Sequence, residues 1–516
     1  MKGSKLVLVC LLLVAVAIVA SAIIASARPG VPGFIVYTQR DGSKLTLSMF
    51  GSNEYMRIGH TVDNLTIIPD DNGTYYYATL DKKGNLVRTN VKANDMWKRG
   101  KAEKAFTAQL AKGLDYSAEQ KKAKMPQPAA FPPPSGWAYG MHTYTGTVKV
   151  LVIKMYFKNY NWTLSQTTLN NALTQTGYQS PIAGQTGCFK DYMTAMTGGL
   201  MTFTFGYAGP YKASRNWSYY GHNINGGDGH NGALADEALV KADPDVNFAL
   251  YDNDNDSRVD PFILIHAGYD ECEGADTDWS YVSTNTLAND YPWGLPPRVV
   301  DGKYANGFFI MSEYRGTGGG SDISSIANYC HEYMHCMGGP ETNYVNYSML
   351  CWCQQAYGSW AGGDGDEPTA YCAGIRYGYG WNTPTVLSSA ATNLTLVDRN
   401  SDPTVSYKIN SNNGEYFMLE NVKATGWDAF CRNSGLLISH IDPDVWPWSQ
   451  LEPADNVNSC GASEEAGDVF PGTGSKTSFT DTTTPSMKDT TGGNTGKPIT
   501  NISYDGSYVV HFDFMQ

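Results

Sequence analysis

The sequence predicts an α+β protein: an α/β-type sheet that carries one functional helix, a β-rich unit before it and a β-rich domain after it. Three observations predict this. Short β-prone runs separated by glycine turns fill residues 28–116, strand-like and helix-like stretches alternate from Thr147 to a helix around residue 331, and only strand-like runs remain after about residue 385. A chain of 516 residues is long enough for two or three such domains. Its net charge of −13, with no extended basic patch, excludes nucleic acid as a partner, because phosphate binding needs concentrated Lys and Arg.

Residues 1–27 read as a secretory signal. Met1 to Lys5 is a short basic lead, Leu6 to Ile24 is apolar, and Ala25-Ser26-Ala27 is a small-x-small cleavage site. The apolar run approaches membrane-spanning length, so the alternative is an uncleaved signal anchor; a membrane partner is expected in that case alone. Either way the rest of the chain is expected to be extracellular. Sequons at Asn64, Asn72, Asn161, Asn216, Asn346, Asn393 and Asn501 suit that compartment. Ten cysteines are present; with Cys10 in the signal, nine remain, so full pairing within one chain is excluded.

Within 28–116, the runs Phe34 to Tyr37, Leu45 to Met49 and Tyr75 to Leu80 are separated by Asp41-Gly42, Asp71-Asn72-Gly73 and Lys83-Gly84 turns. Residues 117–138 form a linker, with lysines at 121, 122 and 124 ahead of Pro126, Pro128 and Pro132-Pro133-Pro134. The unit 139–384 starts with the buried-strand run Thr147 to Ile153. Helical stretches at Ser165–Thr176, Cys188–Met196 and Ala233–Ala242 follow, with a strand from Leu200 to Phe205. The segment Asp252 to Asp260 places Asp252, Asp254, Asp256 and Asp260 at positions 1, 3, 5 and 9 of a loop, a pattern that suits a structural Ca2+ or, alternatively, a solvated acidic turn. Gly307 to Met311 reads as an edge strand near a cleft or as a buried strand, and Ser321-Asp322 as a helix cap.

The stretch Ile326 to Glu341 carries the chemistry. His331 and His335, four apart on a helix, offer two imidazoles to one Zn2+, and Glu332 is placed to take a proton from a metal-bound water. Gly338, Gly339 and Pro340 end the helix in a sharp turn that delivers Glu341 as third ligand. Glu367 is the rival ligand, although the glycines around it argue against a second helix. Cys330 and Cys336 stand about 9 Å apart along the axis, too far to bridge each other, which directs each toward Cys351, Cys353 or Cys372; Cys431 and Cys460 could close a loop further on. Met349, in Asn346-Tyr347-Ser348-Met349, reads as a methionine turn beneath the metal or as an ordinary core residue.

His331 to Glu341 resembles the motif of the immune inhibitor A family of secreted zinc metallopeptidases, a long-motif, metzincin-like group. Met334 stands where that motif has glycine, and Glu341 where it has aspartate. Phe262 to Gly268 and the run from Glu415 through Gly426-Trp427-Asp428 to Asp442 extend the resemblance. It implies a metzincin-like catalytic domain at 139–384, a pro-region at 28–116 and hydrolysis of peptide bonds in protein or peptide substrates. Glu332 would be the general base, and His331, His335 and Glu341 the zinc ligands. Residues 385–516 read as the β-rich C-terminal domain, with Ser459–Gly496 as a loose insertion. The competing class is a catalytically inactive surface-binding protein that keeps the fold; retention of Glu332 counts against it.

Overall fold

The computed structural model describes residues 34–39, 41–50, 58–70, 74–117, 120, 145–179, 187–221, 223–224, 227–228, 230–270, 285–287, 298–305, 307–315, 322–339, 342–344, 347–443, 449–457 and 465–516. The expected signal, nearly all of the linker and Glu341 lie outside them. Among the described residues no helix is long and apolar enough to cross a membrane.

The N-terminal runs form a six-stranded antiparallel meander: β1 (Phe34–Thr38), β2 (Lys44–Phe50), β3 (Ile58–Thr61), β4 (Thr66–Pro69), β5 (Tyr75–Leu80) and β6 (Leu86–Lys92). Gly42 and Gly84 take φ of +78° and +79° in the tight turns, a region open to glycine without strain. Alternate side chains, among them Leu45, Leu47, Ile67, Tyr75 and Tyr77, close a core under α1 (Lys101–Thr107). The Tyr77 hydroxyl donates to Glu103 of that helix at 2.8 Å.

The central sheet has the order β10-β11-β9-β7-β8, with β7 (Gly146–Tyr156), β8 (Met201–Lys212), β9 (Phe262–Tyr269), β10 (Asn285–Leu287) and β11 (Phe308–Tyr314). The pairs β7/β8, β7/β9 and β9/β11 are parallel, and β10 runs antiparallel to β11. The near-continuous apolar run of β7 follows from burial on both faces. On one face Val150, Val152, Ile263, Ile265, Phe309 and Met311 pack with α2 (Gln166–Thr174), α3 (Phe189–Met196) and α5 (Ile326–Cys336). On the other, Leu151, Ile153, Leu264 and Ile310 meet Leu234, Ala238 and Leu239 of α4 (Asn231–Ala242). Of the two readings of residues 307–311, edge strand or buried strand, the structure shows the buried one: β11 lies inside the sheet, and the terminal strand on that side is β10, whose Asn-Thr-Leu carries no pattern of its own.

After α6 (Ala373–Gly378) come a five-stranded sheet of order β12-β14-β15-β16-β17 and a three-stranded one of order β13-β19-β18. These are β12 (Thr385–Val386), β13 (Ala391–Leu396), β14 (Tyr407–Asn410), β15 (Tyr416–Val422), β16 (Gly435–Ile441), β17 (Gln450–Leu451), β18 (Ile499–Tyr504) and β19 (Val510–Phe514). Phe417, Leu419, Leu436 and Ile438 face Phe479, Ile499 and Phe512 in one core. Val422, Trp427 and Leu437 instead join the core of the central sheet, so strands β15 and β16 serve both. The expected loose insertion is packed where it is described: Val469, Phe470, Phe479 and Met487 are buried. Its polar residues are consumed in turns, with Asp481 accepting from Thr495 and Gly496 and Asp489 from Thr491 and Gly493.

Candidate metal centre

Helix α5 starts after Ser325 rather than at Ser321-Asp322, because Asp322 is drawn into a backbone bond with Arg315 at 3.0 Å. The helix is buried along most of its length, so its apolar face is Tyr329, Cys330, Tyr333 and Met334 against the sheet. Met334, the departure from the family motif, is fully buried there. The helix ends as the glycines predict, but each glycine has its own reason. Gly338 takes φ +83°, whereas at Gly339 a Cβ would sit 2.3 Å from Met334 Cγ and 2.8 Å from its carbonyl oxygen. Two tyrosines hold the helix backbone from outside: Tyr371 donates to the Cys330 carbonyl (2.8 Å) and Tyr379 to that of Met337 (2.9 Å).

The imidazoles of His331 and His335 converge. Their Nε2 atoms lie 3.0 Å apart. Nδ1 of His331 donates to the Gln354 carbonyl at 3.2 Å, and Nδ1 of His335 to the Gly339 carbonyl at 2.9 Å. A carbonyl only accepts, so the proton is assigned to Nδ1 in both rings and each Nε2 presents a lone pair to the other. Two lone pairs at that distance repel unless a cation joins them. Two ligands held at ~2.0–2.1 Å by one tetrahedral Zn2+ stand roughly 3.3 Å apart, so the pair fits the ion with a small shift. Glu332, fully buried, follows His331 on the same helix.

Glu341 lies outside the described residues, but the chain on either side is anchored to the same place. Gly339 holds His335, and Thr342 donates through its N and Oγ1 to the Gln355 carbonyl (2.7 and 2.9 Å), next to the carbonyl that holds His331. Met349 is buried, and its N donates to the Thr342 carbonyl at 3.1 Å. Among the described residues no third His, Cys, Asp or Glu joins the two histidines in a ligand group, Glu367 included. Sequence reasoning missed Gln354. Its carbonyl fixes His331 while its Nε2 donates to the Ala327 carbonyl of α5 at 2.6 Å; two adjacent glutamines in an otherwise apolar stretch are the signal that could have found it.

The acidic loop gathers three of its four predicted carboxylates. Ligand oxygens of Asp252, Asp254 and Asp256 lie within 4.8 Å of one another, and Lys303 donates to Asp252 at 2.6 Å. Asp260 is not part of this group, and its carboxylate accepts from the backbone N (3.0 Å) and side chain of Asn253. Burial, with Asp254 and Asp256 adding to it against the Asn253 bonds, pushes the Asp260 pKa up to about 7. Asn253 in turn pairs with both backbone groups of Lys149 in β7 (2.9 and 3.1 Å), which seats the loop on the sheet.

The chain matches no protein-family model. Over 224 aligned residues it is 30% identical to a pre-pro-metalloprotease, PrtV, of Vibrio cholerae serotype O1, with the same figures in two strains. The alignment takes in 38% of this chain and 24% of the relative, so the chain spans about a quarter of the length of the curated relatives it matches. The similarity is thus to part of a metalloprotease.

Proposed function

We propose that the chain is a secreted zinc endopeptidase with a metzincin-like catalytic unit, akin to the immune inhibitor A family. The observation that carries the reading is the pair of Nε2 atoms 3.0 Å apart, each ring held by a backbone carbonyl through Nδ1. His331 and His335 would hold the zinc, with Glu341 as third ligand, and Met349 would pack beneath it. When bound, Zn2+ would polarise the scissile carbonyl, acidify a water and stabilise the oxyanion. Glu332 then accepts the water's proton at a carboxylate oxygen and returns it to the leaving amine nitrogen, so one carboxylate serves first as base and then as acid. An extended protein substrate would pair with the antiparallel edge strand β10 through main-chain hydrogen bonds. Residues 28–116 would act as the pro-region; their sequence contains no cysteine, so no thiolate of theirs blocks the metal. The three-carboxylate loop at Asp252, Asp254 and Asp256 is the place where Ca2+ would bind, in competition with the Lys303 ammonium.

The test is hydrolysis of an unfolded protein by the secreted chain, before and after removal of metal with a chelator and on return of Zn2+. Loss and recovery are expected, and His335→Ala should retain neither zinc nor activity. Hydrolysis that persists with the metal removed would defeat the proposal.

A further inference from the structure

The sequence directs Cys330 and Cys336 toward Cys351, Cys353 or Cys372, yet both remain free and buried. A different pair meets. Cys353 and Cys372 are both fully buried, their side chains hydrogen-bond to one another, and the Cys372 backbone N donates to Cys353 Sγ at 3.4 Å. Cys372 Sγ also contacts the Ile375 backbone N and Ser449 Oγ, the latter at 3.9 Å. Two residues away, Cys351 is already disulfide-bonded, so this stretch of chain belongs to an oxidised protein.

We propose that Cys353 and Cys372 form a disulfide in the secreted protein. The sulfurs would close from hydrogen-bonding contact to ~2.05 Å. Oxidation occurs by exchange with a disulfide donor of the secretory route during folding, before burial is complete. One thiolate attacks the donor to give a mixed disulfide, and the second displaces the donor's remaining thiolate. The two cysteine protons are released to solvent or to the departing thiolates, and the electron pair reduces the donor's disulfide to two thiols.

The bond closes a loop of about 20 residues that is already pinned within, where the buried Asp366 accepts both guanidinium nitrogens of Arg315 at 2.6 and 3.0 Å. It also fixes the residue before Gln354, whose carbonyl holds His331. The crosslink would thereby brace the metal centre. That consequence rests on the zinc reading, whereas the crosslink itself does not.

Wild-type protein secreted through an oxidising compartment is denatured in alkylating reagent without reductant, digested and mapped by mass spectrometry. The expected result is a peptide pair joining Cys353 to Cys372 that disappears on reduction. Alkylated Cys353 and Cys372, or either one joined to another cysteine, would overturn the proposal. Cys353→Ala, Cys372→Ala and the double variant should each lower the unfolding midpoint by the same amount, roughly 5 °C, as one shared bond requires. Additive losses would contradict it. Zinc retention against a competing chelator should fall several-fold in the single variants. Equal retention in the presence of the mapped crosslink overturns the bracing alone, and a wild type that binds no zinc overturns the metal reading while leaving the crosslink in place.

Discussion

Replacing Asp428 by asparagine removes one charge from a group of four that the fold buries together. Arg376, Arg399, Glu420 and Asp428 are each at most 1% exposed, and their formal charges cancel. Asp428 accepts from Arg399 Nε and Nη2 (2.7 and 2.6 Å), from Asn400 Nδ2 (2.7 Å) and from the Ala370 backbone N (3.1 Å). Glu420 takes Arg376 Nη2 at 2.5 Å and the Ala373 N at 3.0 Å. Burial alone would lower the Arg399 pKa, but Asp428 and Glu420 hold it well above its ordinary value. Asparagine keeps the shape, leaves one uncompensated buried cation and turns a donor toward other donors. Removing one partner of such a buried pair costs about 3–5 kcal/mol. Because Asp428 follows β15 and bonds to Ala370 just before α6, the loss should reach the whole central core. Urea unfolding followed by tryptophan fluorescence should show a midpoint lower by roughly 1 M or more. A loss below ~1 kcal/mol would refute the claim that this group is desolvated and mutually compensated.

Other consequences are open to measurement. Gly339→Ala places a methyl group against Met334 and its carbonyl, so it should cost ~1–3 kcal/mol and weaken zinc binding through the His335 contact. Gly100→Ala, with open space around it and no positive φ, should change little; equal effects would refute the steric argument. Gln354→Ala keeps the carbonyl but frees it from Ala327, and zinc affinity measured by chelator competition should fall about 10-fold. Unchanged affinity would remove Gln354 from the positioning of His331. His440 lies between Glu415 (2.8 Å) and Glu452 (3.4 Å). Burial lowers its pKa, but the two carboxylates outweigh burial and raise it above 6.5. A histidine raised in this way adds stability that is complete below 6.5 and lost as pH rises through the folded value. Thermal midpoints should therefore fall more between about pH 6 and pH 9 in the wild type than in His440→Gln. Parallel falls would show that His440 is not the group responsible.

Local chemistry was legible in the sequence where one element contains the whole argument. His331 and His335 are neighbours because a helix repeats every 3.6 residues, and Gly338 ends that helix because it alone there needs a positive φ. Three of the six meander strands, β1, β2 and β5, were legible as β-prone runs beside glycine turns, whereas β3, β4 and β6 were not singled out. What failed or stayed open depends on distant chain. The carbonyl that orients His331 lies 23 residues away on Gln354, and a backbone group leaves no trace in composition. An apolar run such as Phe308 to Met311 is the same at an edge or in a centre, so its place was fixed only by β10. Asp260 matches the spacing of a cation loop, yet Asn253, an intervening residue with no acidic character, claims its carboxylate. The charge group of Arg376, Arg399, Glu420 and Asp428 is spread over 53 positions, and no spacing rule brings it together.

The central claim is tested most directly with Glu332→Gln, measured for bound zinc and for hydrolysis of an unfolded protein beside the wild type. The account predicts that the variant binds zinc as the wild type does while hydrolysis falls at least ~100-fold, because the ligands stay and the base is gone. Undiminished hydrolysis by the zinc-loaded variant would contradict it, as would a zinc-loaded wild type that cleaves nothing.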